Sequence, residues 1–284
     1  MSLCEAFEVS ASGYYDWLQS PYTPKRQEDA RLAVAIEAAH ERTRHTYGPC
    51  RLQAELAAEG IHVGVHRIRR IRQERGIRCK QVKKFKATTN SKHTLPVAGN
   101  LLHQDFVTVK PNQAWVTDIT YIPTGEGWLY LAGHKDLFNG EIVGYAMGER
   151  MTKSLVSESL FRAVALRKPE AGLIHHSDRG GQYCAEEYQS HLAGRKMLAS
   201  MSRKGNCYDN APIESFWGVL KNELIYHRKY ATRKEARKEI TEYIEVFYNR
   251  QRRQKRLGFL SPAAFLKDYL ETKYRKYSCP LLSA

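Results

Sequence analysis

Apolar side chains in the first 75 residues recur at intervals of three and four positions, which is the spacing of an amphipathic helix. Segments rich in proline, glycine and turn-forming residues divide this pattern into separate elements. The pattern predicts a short first helix from Ser10 or Ser12 that residues 20–24 stop, and then helices over about 26–42, 50–59 and 64–75. A short turn containing glycine joins the last two, and the second of them is basic. This arrangement is typical of helix-turn-helix DNA recognition.

From residue 112 the periodicity changes, because β-branched and aromatic residues begin to alternate with polar ones. We predict strands over 114–122, 128–134, 141–147, 172–176 and 197–200, and helices over 154–167, 185–193, 212–226 and 232–248. Three antiparallel strands followed by strands that alternate with helices indicate one mixed α/β sheet flanked by helices. The expected fold is therefore an α/β domain with a mixed sheet, preceded by a smaller all-α domain.

The same patterns predict where the chain divides. We expect an N-terminal helical segment over 1–24, a helix-turn-helix-like DNA-binding domain over 25–79, a basic linker over 80–110, a mixed-sheet core over 111–270 and a C-terminal tail over 271–284. A chain of 284 residues is long enough for two such domains.

Charge is distributed unevenly along the chain. The formal net charge is +15, and residues 25–92 hold 17 Lys or Arg against seven Asp or Glu, an excess of ten. Such an excess predicts a polyanionic partner, and nucleic acid rather than a membrane, because no apolar run approaches the roughly 20 residues of a membrane span. The first residues lack the pattern of a secretory signal, so an intracellular location is expected.

The six cysteines contain no CxxC pair. His62, His66 and Cys79 could be taken for part of a zinc site, but a structural zinc ion needs four ligands. We therefore predict no zinc site there.

Three carboxylates are candidates for the reaction chemistry: Asp118, Asp178 and Glu214. Asp118 falls in a strand expected to be buried, Asp178 follows an apolar strand and precedes two glycines, and Glu214 starts a helix. Converging carboxylates repel one another unless a hard cation such as Mg²⁺ neutralises them. Each residue also has a simpler interpretation. Asp118 and Asp178 could each be an ordinary turn or loop residue, and Glu214 could be an exposed residue at a helix start that the helix dipole favours. Asp136 rivals Asp118, and Asp209 or Asn210 is expected to cap the helix that carries Glu214.

The motifs around these residues carry a family resemblance. The segments HSDRGGQY, DNAPIESFWGVLKNEL and YNRQRRQKRLGFLSP, with the spacing of the three carboxylates, resemble those of bacterial insertion-sequence transposases of the OrfB type. The resemblance covers residues 38–266. It implies a retroviral-integrase-like catalytic core with an RNase H-like fold, in which Asp118, Asp178 and Glu214 are both catalytic residues and metal ligands.

The resemblance implies further properties of the chain. The reaction would be Mg²⁺-dependent cleavage at transposon ends followed by strand transfer, with two ions in the active complex and Mn²⁺ as a possible substitute. Lys221, two helical turns after Glu214, would contact the DNA end, and Gln254 stands where the family usually has histidine, so it receives no role. The residues expected to bind DNA are Arg51, Arg67, Arg70, Lys83, Lys84, Lys221 and Arg252, with a structural role as the alternative for Arg252.

The expected partners are double-stranded DNA, further copies of the chain on that DNA and a possible upstream-frame fusion or partner, in the bacterial cytoplasm at the nucleoid. Two other functions stay open from the residues alone. One is a non-enzymatic DNA-binding regulator or inactive remnant, and the other is a hydrolytic nuclease of the same fold.

Overall fold

The structure of the protein is a computed structural model, and it describes residues 4, 7, 9–19, 23–80 and 96–278. The chain divides into two compact units, one ending at Lys80 and the other beginning at Gln81. Each unit is described by itself. The predicted order of a helical region followed by a mixed sheet with helices is confirmed.

The first unit is all α-helical. Its helices are α1 (Ala11–Gln19), α2 (Pro24–Arg42), α3 (Pro49–Ala58) and α4 (Val65–Glu74). Apolar side chains of the last three meet in a small core, because positions three and four apart share a helix face. The fully buried members are Ile36, Ala39, Leu52, Leu56 and Ile68.

Residues 20–24 were predicted to separate two helices, but the second helix already begins at residue 24. Pro24 lies in the first turn of α2, and the side chain of Thr23 accepts a hydrogen bond from the backbone N–H of Arg26 at 3.3 Å. Proline suits the first turn because the N–H that it lacks has no partner within the helix there.

The second unit is built on five strands. These are β1 (Ala114–Thr124), β2 (Gly127–Asp136), β3 (Ile142–Gly148), β4 (Ile174–Ser177) and β5 (Leu198–Met201). Their order across the sheet is β3-β2-β1-β4-β5, with β1, β2 and β3 antiparallel and β1, β4 and β5 parallel. The sheet is therefore mixed, as predicted.

Helices lie between and after these strands. The α-helices are α5 (Lys153–Arg167), α6 (Glu186–Ala193), α7 (Ala211–Glu223), α8 (Arg233–Glu242) and α9 (Pro262–Ser278), with a single helical turn at Gly181–Cys184. The main core cluster joins β1, β2 and β3 to α5 and α6 through Trp115, Val143, Val156, Leu160 and Tyr188. Among the described residues, none of the helices combines the length and apolar character needed to cross a membrane.

Three features of this unit differ from the sequence analysis. The long helix predicted over 232–248 changes to π-helix at Tyr243–Gln251. Helix α9 was not predicted, and it runs through the boundary that we placed at residue 270.

The third difference concerns the linker. The amides of Asn100 and Gln104, both inside the predicted linker, donate hydrogen bonds to the buried carboxylate of Asp209 at 3.0 and 2.8 Å. This part of the segment is therefore fixed to the core by polar contacts.

Candidate active site

Asp118 and Asp178 are brought together by the parallel pairing of β1 with β4. The paired positions run from Ala114 with Ile174 to Val116 with His176. The two residues of each pair are 60 positions apart in the sequence, and so are Asp118 and Asp178. The two aspartates therefore face each other just beyond the end of β4, in the same register. Because neighbouring strands lie about 4.8 Å apart, this register puts the two carboxylates at one edge of the sheet.

Glu214 comes from the first turn of α7, which packs against the face of the sheet that carries Asp118. The helix starts after Asn210, but the side chain of Asn210 makes no capping bond. It donates instead to the carbonyl of Thr117 at 3.0 Å, next to Asp118. Asp209 is also not a cap, because its carboxylate accepts hydrogen bonds from the backbone and guanidinium of Arg203. The capping prediction is therefore wrong, and Asn210 fixes the helix to β1.

The three carboxylates interact electrostatically. Burial raises the pKa of Asp118 well above its ordinary value, and the charges of Asp178 and Glu214 raise it further. Partial burial and the charge of Asp178 also raise the pKa of Glu214. The charge of Asp178 thus makes it harder for both Asp118 and Glu214 to ionise, as expected for like charges that share a site.

A tryptophan that the sequence analysis does not assign to the site holds Asp118 in place. The indole Nε1 of Trp217 donates a hydrogen bond to Oδ2 of Asp118 at 3.1 Å, while the ring is 5% exposed. Gly133 pairs with Asp118 across β1 and β2, and a Cβ on Gly133 would lie 2.9 Å from the indole. The glycine therefore leaves room for the ring that orients the carboxylate.

Lys221 lies beside this site, two turns along α7 from Glu214. Its Nζ is 5.0 Å from the centroid of the Tyr121 ring, a cation–π contact. Burial lowers the pKa of Lys221, and the carboxylate of Asp118 opposes that effect. The structure thus places an ammonium group within electrostatic range of Asp118.

The donor chemistry of the site fits a hard divalent cation. Carboxylate oxygens are the ligands that Mg²⁺ takes in proteins, and the repulsion among Asp118, Asp178 and Glu214 is the kind that a cation relieves. In the described ranges, no three His, Cys, Asp or Glu side chains are gathered closely enough to hold a metal ion by themselves. A bound ion would therefore need oxygen ligands in addition to these carboxylates, and Mg²⁺ commonly takes them from water and phosphate.

Asp136, the rival to Asp118, has a local structural role. Its carboxylate accepts hydrogen bonds from the backbone N–H groups of Asn112 and Phe138, each at 2.9 Å. Burial raises its pKa to about 6, and these two bonds oppose the rise. The position at the end of β2 thus explains this acidic residue without a metal.

The arginines predicted to bind DNA in the first unit make contacts within it. Arg67 pairs with Glu28 and Asp29, and Arg70 pairs with Asp29 and Glu74, all at 2.6 to 2.9 Å.

The third of these arginines is also engaged. Arg51 donates to the carbonyl of Thr46 at 2.7 Å, and its guanidinium stacks on Tyr47. DNA contact by the three arginines stays a prediction. Lys83 and Lys84 lie outside the described residues.

Arg252, also predicted to contact DNA, makes a contact within the protein, and its contact with DNA stays a prediction. Its guanidinium forms two hydrogen bonds with the carboxylate of Glu223 at 2.7 and 2.8 Å, and the two side chains are 12% and 9% exposed. Tyr243 donates to the same carboxylate at 2.7 Å. The geometry favours the alternative, a structural contact, because the planar guanidinium of Arg252 binds the carboxylate of Glu223 through two hydrogen bonds.

A buried lysine also supports the helix that carries Glu214, and no sequence pattern indicates this role. The Nζ of Lys135, at the end of β2, donates to the carbonyl of Pro212 at 2.8 Å. Lys135 is 7% exposed, and burial together with the charges of Arg256 and Arg252 lowers its pKa to about 7.

Comparison with protein families gives three matches along the chain. The family described as "Integrase core domain" matches residues 108–207, and a second family with the same description matches 214–270. The family described as "HTH-like domain" matches residues 26–85. Asp118 and Asp178 fall in the first match, and Glu214 is the first residue of the second.

Individual proteins match over most of the chain. The "Insertion element IS600 uncharacterized 31 kDa protein" of Shigella sonnei is 58% identical over 267 residues, covering 94% of this chain and 98% of the relative. "Transposase InsF for insertion sequence IS3A" of Escherichia coli (strain K12) is 40% identical over 266 residues, covering 93% and 92%. Among solved structures, the HTLV-2 integrase catalytic core domain in complex with magnesium (trimeric form) covers 55% of this chain and 96% of its own, at 15% identity and a TM-score of 0.44.

Proposed function

Because this chain belongs to the IS3-family insertion-sequence transposases with an integrase core and an HTH-like domain, we propose that Asp118, Asp178 and Glu214 carry out its DNA chemistry. The protein is a transposase, a polynucleotidyl transferase of the DDE type that acts in DNA transposition. The strand register that brings Asp118 and Asp178 together at one sheet edge, with Glu214 on α7 near enough for their charges to interact, supports this assignment most directly.

The proposed reaction has two phosphoryl-transfer steps on DNA. Water attacks the phosphodiester at the transposon end and breaks its bond to the 3′-oxygen, which leaves a 3′-hydroxyl and a 5′-phosphate. That hydroxyl then attacks a second phosphodiester, whose own 3′-oxygen leaves as a new 3′-hydroxyl. Two Mg²⁺ ions, with Mn²⁺ as a substitute, would supply activation of the attacking oxygen and stabilisation of the leaving oxygen. Asp118, Asp178 and Glu214 would hold them, and Trp217 would keep the Asp118 carboxylate aimed at the site.

Lys221 is proposed to position the DNA end. Its ammonium lies within electrostatic range of Asp118 and could meet a phosphate next to the one being cleaved. Lys221→Ala should reduce joining while metal affinity persists. Wild-type joining by this variant would remove the positioning role, and loss of metal binding would show instead that α7 had been disturbed.

The HTH-like domain is proposed to bind double-stranded DNA, which the positive excess of residues 25–92 favours. Assembly of several copies on DNA, and work with an upstream-frame partner or fusion, belong to the same proposal.

The test uses the full chain and a duplex carrying the end of the element that encodes it. We expect Asp118→Asn, Asp178→Asn and Glu214→Gln each to abolish cleavage and joining while DNA binding stays close to wild type. Asp136→Asn is the matched control, because that carboxylate serves the backbone beside it. Near-normal turnover in one of the first three variants would remove that residue from the set. Cleavage without joining by the wild type would favour a nuclease, and binding without cleavage would favour a regulator.

A further inference from the structure

The second half of β1 extends beyond the strand that pairs with it. β4 pairs with Ala114–Val116, whereas β2 pairs with β1 all the way to Thr124. From Ile119 onward, the edge of β1 away from β2 is therefore not covered by another described strand. Here β1 and β2 form a hairpin, called the ribbon below, that leads away from Asp118, and β3 pairs with β2 only as far as Tyr130. Two hydrogen bonds anchor the tip of the ribbon: the backbone N–H of Gly125 donates to the carbonyl of Tyr230 at 2.9 Å, and the side-chain Nε of Arg233 donates to the carbonyl of Trp128 at 3.1 Å.

This ribbon carries two exposed aromatic side chains on one face. Tyr121 is 39% exposed and Trp128 is 48% exposed. Their ring centroids are 5.0 Å apart with an interplanar angle of 80°, so the two rings meet edge to face. Because residues two positions apart on a strand share a face, the register of Tyr121 with Tyr130 and of Pro123 with Trp128 explains the contact.

A cation connects the aromatic pair to the active site. Lys221 Nζ lies 5.0 Å from the Tyr121 ring centroid and interacts electrostatically with the Asp118 carboxylate. A ligand that combines a flat ring with a nearby anion matches this arrangement. A nucleotide has that combination, with a base for the aromatic rings and a phosphate for the ammonium.

We propose that Tyr121 and Trp128 form a stacking platform for a DNA base that has left the double helix next to the cleaved phosphate. Bases inside a duplex stack on one another, so only an unpaired base offers a free face to an aromatic side chain. The anchored ribbon would hold this platform ready before DNA arrives, which lowers the cost of ordering it on binding. The proposal rests on the proposed function, since it places the base beside the catalytic carboxylates.

The experiment measures binding rather than cleavage, so it is independent of catalysis. The probes are a blunt duplex and the same duplex with a short unpaired thymidine overhang, each titrated by fluorescence anisotropy in EDTA at fixed salt. Base–aromatic stacking tolerates any base, so the element's own end sequence is not needed. We expect Tyr121→Ala and Trp128→Ala to weaken binding of the overhang probe about 5- to 100-fold, while binding of the blunt probe changes little.

Two matched variants test the interpretation. Tyr121→Phe keeps the ring and should retain the preference for the overhang, and Phe161→Ala removes an equally exposed aromatic residue on α5 and should leave it unchanged. A 2-aminopurine in the overhang should lose fluorescence on binding to the wild type and lose less with Trp128→Ala, which reports stacking directly.

Three outcomes would overturn the proposal. An equal loss for blunt and overhang probes would indicate a general DNA contact. An unchanged preference in both alanine variants would leave the rings without a role in base binding. A shift in the sedimentation of the DNA-free protein, with the preference intact, would assign this surface to contact between copies of the chain. Loss of cleavage by the Asp118 variant would still be observed in each case, so failure here leaves the proposed function standing.

Discussion

Replacement of Lys135 by methionine should stabilise the protein at neutral pH and make its stability respond less to pH. Lys135 is buried at the end of β2. Its ammonium donates a hydrogen bond to the carbonyl of Pro212. Burial lowers its pKa from 10.5 to about 7, and the positive charges of Arg256 and Arg252 add to this effect. Methionine has a similar length and carries no charge, so it fills the same space without desolvating an ammonium.

The magnitude follows from the difference between the two pKa values. A change of one in pKa corresponds to about 1.4 kcal/mol, so lowering it from 10.5 to about 7 corresponds to about 5 kcal/mol. Between pH 7 and 10.5 the unfolded chain binds a proton at Lys135 that the folded chain has released. Stability therefore rises with pH across this window, by about 1.4 kcal/mol per pH unit from this residue alone. Loss of the bond to Pro212 offsets about 1.5–3 kcal/mol of the gain.

The assay is denaturant unfolding of wild type and Lys135→Met at several pH values from 7 upward. The stabilisation of the variant should be largest near pH 7 and should shrink as pH rises, because the wild type must release the proton of Lys135 on folding and this release costs less at higher pH. Lys267→Met is the control, since that lysine is 77% exposed at the surface and its replacement should give a small difference that does not vary with pH. A difference between wild type and Lys135→Met that is independent of pH would refute the reasoning, because it would mean that burial leaves the ionisation of Lys135 unchanged.

Other predictions concern the contacts around the active site. Glu223→Gln should destabilise the protein by about 3–5 kcal/mol in denaturant unfolding, because Arg252 would stay buried without its counter-charge; a change below 1 kcal/mol would contradict this. Trp217→Phe removes a hydrogen bond that lowers the pKa of Asp118. The fall of the cleavage rate at acidic pH should therefore begin at a higher pH in the variant. An unchanged pH profile would show that the bond does not affect the ionisation of Asp118. Asp209→Ala removes the carboxylate that holds Asn100 and Gln104, and chymotrypsin should cut next to them, after Leu101, Leu102 or Phe106, faster in the variant than in the wild type.

The strands and most helices could be predicted because their patterns are local. Residues 114–122 alternate between apolar and polar positions, and the structure forms β1 there. Asp118 and Asp178 could be singled out because each stands at a strand with apolar neighbours. Helix α9 was missed, since its chain follows a basic segment and its first residue is a proline that we treated as the end of a motif.

The contacts that support the site could not be predicted, because each joins residues distant in the sequence. The bond from Trp217 to Asp118 needs Gly133 on a neighbouring strand, and nothing local to any of the three residues indicates it. The pair between Arg252 and Glu223 is a similar case, since an arginine in a basic segment has the same local pattern whether it binds a phosphate or a buried glutamate. The role of a charged residue depends on how deeply its side chain is buried and which group it pairs with. Both are properties of the tertiary structure.

The short length of β4 explains why the site and the ribbon occur together. If β4 were as long as β1, its backbone would cover the edge of β1 beyond Val116, and Asp178 would lie within a strand instead of after one. Because β4 ends at Ser177, the chain turns at Asp178, whose carboxylate accepts the N–H of Gly180 at 2.9 Å, and the edge of β1 past Asp118 is left to side chains. Lys221 reaches Tyr121 along that edge. A single early end to one strand thus creates both the meeting point of the aspartates and a surface beside it that DNA could occupy.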